Sequence, residues 1–292
     1  MPVLGTMGAA SARNYGLFGR IKAAPTGSMG VFSRGASLTS IYSYQWANDV
    51  VTQYTPLSVS PAGSTAGASN SVMGIMLVGS TSQPTFNNKI LWSNNTIGRG
   101  TNLTAGYRAG NGSGGCGNAD KGMFFRGDNT NSTQQYVYAG DLTGVGGTLT
   151  RNSIYGYAAG NATFCIVAIG GPSVFSNSYT YASDAAAVAT SFTISMAQSG
   201  AMGTADVGIF CRASTTQVYN YAANTAVVGG ALSTVATYGQ GAGNEVFGIM
   251  IGSGSSACNK YTYSSNTCVL GTAIPGTSAI AAVANGLVGV TA

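Results

Sequence analysis

The chain contains no histidine in 292 residues. That absence removes the commonest general base, the commonest metal ligand and the usual serine and cysteine triads. Charge is scarce as well: Asp, Glu, Lys and Arg together make up 7% of the residues, against roughly 25% in ordinary soluble domains. Cysteine numbers five, an odd count without C-x-x-C spacing. Cys165 and Cys211 lie in apolar, strand-like runs, where a thiol behaves as a small hydrophobe. Cys258 and Cys268 flank one hairpin without standing opposite each other, so free thiols in a reducing cytoplasm are the simpler expectation. No run of about 18 apolar residues marks a membrane span. The opening "MPVLGTMGAASARNYG" has no basic segment followed by an apolar one, so no secretory leader is expected. A net charge of +5 without basic clusters interleaved with aromatics gives no expectation of nucleic-acid binding.

What is abundant is glycine, at 44 residues, in a chain that is 45% hydrophobic. Disorder pairs low hydrophobicity with high charge, the reverse of this composition. The main signal is a repeat. "YNYAANTAVVGGAL" from Tyr219 and "YTYSSNTCVLGTAI" from Tyr261 align without gaps, and four more copies begin at Tyr44, Ile90, Tyr136 and Tyr179. Successive copies start 46, 46, 43, 40 and 42 residues apart. Each reads as aromatic or Ile, any residue, aromatic, two small residues, Asp or Asn, then an apolar stretch. The alternation puts both rings on one face of a strand, and Asp or Asn supplies turn chemistry because it tolerates a left-handed backbone. Each copy is therefore a hairpin.

A second hairpin precedes each copy. It ends in an apolar strand such as "MGIMLVG" from Met73 or "FCIVAIGG" from Phe164, after tight turns such as Gly160-Asn161 and Gly243-Asn244. The unit is four short strands, a to d, in about 43 residues, the signature of a β-propeller blade. Glycine and alanine in strand a suit the crowded axis. "VLGTMG" from Val3 resembles the d strand "VLGTAI" from Val269, and the chain ends in an a strand ("AIAAVANG") and a b strand ("LVGVTA"). This arrangement predicts an all-β fold: one β-propeller domain over 1–292, with about seven four-stranded blades, the last incomplete and closed by both termini. A solenoid would share the period, but complementary half-blades favour a ring.

The apolar b strand ending in Gly ("AIGG" at 168–171), the aromatic c strand and the glycine of strand d resemble kelch-type propellers, the superfamily of the galactose oxidase central domain. The wording Y-x-Y-[AS]-x-[DN]…G-[TG]-x-L…A-x-G-N is most similar to Gly/Ser/Thr-rich kelch-like repeats in predicted structural proteins of tailed bacteriophages. The resemblance spans essentially the whole chain. It implies a non-enzymatic structural or decorating component of a phage-like virion, on the capsid surface or tail, made in the host cytoplasm and partnered by other virion structural proteins. The alternative is a carbohydrate-binding adhesin or host-receptor-binding propeller reading host surface glycans.

Galactose oxidase chemistry needs two histidine ligands for copper and fails here, and five scattered cysteines make no recognisable zinc site, so no cofactor and no enzymatic activity are expected. Asp49, Asp141 and Asp184 occupy the same c–d turn position that Asn95, Asn224 and Asn266 hold in other blades, so that position asks for turn geometry and not for a proton. The Tyr-x-Tyr stripe is expected to pack blade against blade. In an up-and-down meander the a–b and c–d loops lie on one end of the disc and collect Asp49, Asp120, Asp141, Asp184, Asp206 and Glu245. The other end collects a candidate basic docking face: Arg13, Arg34, Lys89, Arg126, Arg151, Arg212 and Lys260. Turn propensity alone would also concentrate Asp in one class of hairpin. A polarised disc offers a docking face for an acidic partner or head-to-tail stacking of copies. The loops at 80–88, 110–120 and 127–135 are the candidate glycan readers of the alternative.

Overall fold

A computed structural model describes residues 29–34, 39–59, 66–77, 86–104, 113–126, 129–197, 200–252, 254–276 and 279–285. Among them are 24 strands in six antiparallel four-stranded sheets. The chain enters with β1 (Met29–Arg34), β2 (Ile41–Gln45) and β3 (Val50–Gln53). Blade two is β4 (Gly67–Ser69), β5 (Met73–Leu77), β6 (Asn87–Leu91) and β7 (Thr96–Arg99). Blade three is β8 (Gly114–Gly117), β9 (Lys121–Phe125), β10 (Thr133–Val137) and β11 (Leu142–Val145). Blade four is β12 (Tyr157–Gly160), β13 (Phe164–Ala168), β14 (Ser176–Thr180) and β15 (Ala185–Ala189). Blade five is β16 (Gly200–Gly203), β17 (Val207–Arg212), β18 (Thr215–Asn220) and β19 (Thr225–Val228). Blade six is β20 (Gln240–Gly243), β21 (Phe247–Ile251), β22 (Cys258–Thr262) and β23 (Thr267–Gly271). The last strand, β24 (Ala279–Ala284), pairs antiparallel with β1, Gly30 opposite Ala284.

That pairing corrects the expected blade number. The a strand at 279–284 does not open a seventh blade, because it is the inner strand of the first, which otherwise holds only b, c and d. The described blades number six, and a reduced seventh blade closed by both termini is not shown. The stretches 3–8 and 287–292, on which that expectation rested, lie outside the described residues. The architecture is a β-propeller of small antiparallel blades, consistent with a kelch-like propeller.

The inner strands follow one another in contact around the ring: β24, β4, β8, β12, β16, β20, then β24 again. Their small residues are what permit this approach. A Cβ on Gly67 would lie 2.6 Å from Val283 Cγ1, and one on Gly241 would lie 2.5 Å from the Ala201 carbonyl oxygen. Six buried clusters then fill the six gaps between blades. Tyr44 and Trp46 of blade one pack on Phe247, Ile249 and Ile251 of blade six. Tyr219 and Tyr221 of blade five pack on Tyr157, Ala159 and Ile166 of blade four. The aromatic stripe is thus blade-to-blade packing, with paired rings 5.4–6.3 Å apart in four blades.

Candidate functional surfaces

The six c–d turns place Asp49, Asn95, Asp141, Asp184, Asn224 and Asn266 at φ between 51° and 56°, the left-handed region these side chains tolerate. Their side-chain oxygens do more than shape the turn. Tyr44 donates its hydroxyl to Asp49 at 3.0 Å, and Tyr179, Tyr219 and Tyr261 donate in the same way to Asp184, Asn224 and Asn266. The choice of Asp or Asn follows the preceding blade. Lys89 of blade two pairs with Asp141 of blade three, Lys121 of blade three with Asp184 of blade four, and Lys260 of blade six with Asp49 of blade one. Where Asn stands, the residue just before the first aromatic of the preceding c strand is Ser43, Ser178 or Val218. At this turn position a carboxylate occurs only where an ammonium meets it. At Asp141 partial burial works to raise the carboxyl, but hydrogen bonds from Lys89 and Thr101 outweigh it and hold the group below its ordinary value.

In five of the six blades, two adjacent residues at or near the start of the c strand are latches. Asn87, Thr133, Ser176, Thr216 and Cys258 each donate to the carbonyl fourteen residues on, at 2.7–2.8 Å. Cys258 therefore serves as a hydroxyl would, and burial pushes its thiol up to about 12. The next residues, Asn88, Gln134, Asn177, Gln217 and Asn259, accept backbone N–H groups of the incoming d–a loop. On the other end, Asn70, Asn118, Asn161 and Asn244 accept the backbone N–H groups two and three residues ahead, closing the a–b turns. Asn70, Asn118 and Asn161 also donate to the a–b turn of the next blade. These latches escaped the sequence reading, because Asn, Thr, Ser and Cys at one position share donor chemistry but no common name.

Of the candidate basic face, Arg13 lies outside the described residues. Arg34 is 1% exposed and donates to the Ser255 and Gly276 carbonyls of blade six, with burial lowering its pKa. Lys89 and Lys260 reach toward the c–d turns, where their charge meets Asp141 and Asp49. Arg126 follows β9 half-buried. Arg151 is exposed and lies 3.7 Å over the Phe175 ring, and Arg212 is exposed and donates to Ser195. The structure thus leaves Arg126, Arg151 and Arg212, joined by Arg99 over Phe86 at 3.4 Å, on the b–c/d–a end. At the opposite end Asp120, Asp206 and Glu245 are exposed, one residue or two into their a–b turns. Of the candidate loops, 80–85, 110–112 and 127–128 lie outside the described residues, and Cys116 at the far side of one is a buried inner-strand residue.

All five cysteines are free thiols, four of them buried. Cys116 and Cys165, from blades three and four, meet under Tyr181, and burial pushes the Cys165 thiol well up. No group of three or more Cys, Asp or Glu placed to hold a metal occurs among the described residues.

Two features fall outside the repeat. The first is the rim. The outer strands of five blades expose Val50, Leu142, Val145, Val188, Val227, Val228, Val269 and Leu270, at 42–63% of their surface. The second is a group of three tyrosines. Tyr155 and Tyr238 sit just before the inner strands of blades four and six, and their rings meet edge to face at 6.3 Å. Tyr157 begins β12, where the matching residues of other blades are Ala66, Gly114, Gly200, Gln240 and Ala281. Compared with models of known protein families and with curated proteins, the chain matches none.

Proposed function

We propose that this chain is a non-enzymatic structural component of a phage-like particle, attached at the surface or tail and held laterally by neighbouring virion proteins. The rim carries this reading. Each blade ends in an edge strand with one paired neighbour, and the six edges hold a single charged residue, Arg99. Proteins that stay monomeric guard such edges with lysine, proline or bulges. Here the edges present aliphatic side chains instead, and each Val or Leu buried by a neighbour contributes about 1.5–3 kcal/mol. The polar residues of the c strands and c–d turns agree with it: their carboxylates, amides and hydroxyls are engaged in turns, latches and ion pairs. The wording of the repeat, similar to tailed-phage structural proteins, supplies the kind of particle. The uneven ends, with arginines on one and exposed acids on the other, suit an oriented attachment.

The test is peptide mass spectrometry across a density gradient of particles from the source culture. Co-sedimentation with a major capsid protein at a fixed copy ratio is expected. Recovery only in the soluble or cell-surface fraction would overturn the reading.

A further inference from the structure

The residues that the repeat does not explain gather at the axis. Tyr155 and Tyr238 belong to blades four and six, with blade five between them in ring order. Side chains from alternate blades touch only where the blades converge, so this pair marks the axial mouth on the b–c/d–a end. Both rings are half-buried. Below them Tyr157 is 3% exposed, and its hydroxyl has no hydrogen-bond partner among the described residues. Other phenols share that condition, but Tyr138, Tyr181, Tyr221 and Tyr263 do so at the second aromatic position of the repeat and Tyr136 at the first. Tyr157 stands where five blades have Ala, Gly or Gln.

The backbone around this cluster is specialised as well. Tyr238 has φ 48°, the left-handed region, which an aromatic residue adopts only under constraint. Gly170 and Gly171, at φ 61° and 71°, bring the b–c loop of blade four up against Tyr155, where a Cβ on Gly170 would lie 2.6 Å from Tyr155 Cβ. The repeat itself does not call for tyrosine here, since Ser64, Gly112, Gln198 and Ala279 stand in the sequence where blades four and six have Tyr155 and Tyr238.

We infer that Tyr155, Tyr157 and Tyr238 form an axial binding site for a saccharide ring, with the half-exposed rings covering the apolar C–H face of the sugar and the buried Tyr157 hydroxyl meeting one of its oxygens. Aromatic faces with polar tips suit a ligand that is apolar on its faces and hydroxylated on its edges. The arginines of the same end disfavour a cation, the other common guest of clustered aromatic rings. Burial raises the Tyr157 phenol, so it stays protonated and donates across the working pH range. The inference does not depend on the particle reading, because it concerns the purified chain alone.

The experiment is an oligosaccharide array, carrying neutral hexoses, N-acetylhexosamines and hexuronic acids, probed with the full chain and followed by calorimetry on the best binder. Binding to at least one class is expected. Tyr157→Phe, which removes one hydroxyl and keeps the ring, weakens it about tenfold, the scale of one lost hydrogen bond. Tyr238→Gly removes a stacking ring and abolishes the array signal, while the relaxed backbone keeps the melting temperature from falling. An array without signal, or binding that survives both substitutions unchanged, would overturn the inference. Should Tyr238→Gly fail to fold, the Tyr157→Phe comparison still decides.

Discussion

Lys260 in blade six donates to both carboxylate oxygens of Asp49 in blade one at 2.7 Å, joining residues 211 positions apart. The pair clasps the last blade in the chain order to the first. The Arg34 bonds to Ser255 and Gly276 cross the same seam from the opposite end, so polar contacts join these two blades on both ends of the disc. Both partners of the ion pair are partly exposed, so its strength is modest and salt-dependent. A double-mutant cycle on Lys260→Ala and Asp49→Ala is expected to give a coupling of about 0.2–1 kcal/mol, shrinking in 1 M salt. Urea denaturation midpoints check it, and a coupling indistinguishable from zero at low salt would contradict the pair.

Asp141 gives the acid response of the ring. Its carboxyl is held below the ordinary value in the folded state, so its contribution is fully present above the unfolded value and disappears as pH falls through the folded one. The Asp141→Asn variant is expected to match the parent chain's stability ranking at pH 3 more closely than at pH 6, where the parent is the more stable. Thermal melts of both proteins across pH 2.5–7 (about five points) measure the difference.

The glycines of the inner ring leave no room for an added carbon. Gly67→Ala would press a Cβ against Val283 and the backbone of β24, and it is expected to cost about 1–3 kcal/mol. Gly98→Ala, in the outer strand β7 with nothing within 4 Å, is expected to be neutral or slightly stabilising. Equal losses at both positions would show that the axis is not close-packed.

Cys258 separates donor chemistry from thiol chemistry. Cys258→Ser keeps a donor for the Thr272 carbonyl and should be nearly neutral, matching Ser176 of blade four. Cys258→Ala leaves that carbonyl without its bond and is expected to cost about 0.5–1.5 kcal/mol. Denaturant titration of the two variants gives the comparison.

The rim reading has its own test. Val228→Lys combined with Leu270→Lys places charge on two exposed outer strands and should leave the melting temperature within about a degree, since neither side chain is buried. The same variant is expected to lose incorporation into particles, read as its copy ratio to the major capsid protein. Full incorporation would remove the rim from the contact.

Much of this molecule was legible because a repeat states each local rule six times. Tyr-x-Tyr gave the strand and its buried face, and Asp or Asn five residues after the first aromatic gave a left-handed turn that every blade adopts. The small inner strands announced the crowded axis. Blade number was not legible, because β24 reads equally well as the start of a new blade or as the missing strand of the first. Only its register on β1, Val31 opposite Val283, decides that.

The basic face shows the same division. Sequence order places Lys89 and Lys260 on c strands near the b–c end, yet a lysine side chain is long enough to reach the neighbouring blade, and the carboxylates of Asp141 and Asp49 set its direction. Likewise Tyr238 is separated from Tyr155 and Tyr157 along the chain by about two blades, and only the convergence of strands at the axis makes it their neighbour. The sequence by itself determined what every blade does alone: alternation, turn handedness and the sizes allowed at the centre, all set by bonds and sterics within a few residues. The tertiary structure decided what blades do to one another, because ring closure, charge pairing and the axial cluster depend on distances that the order of residues does not contain.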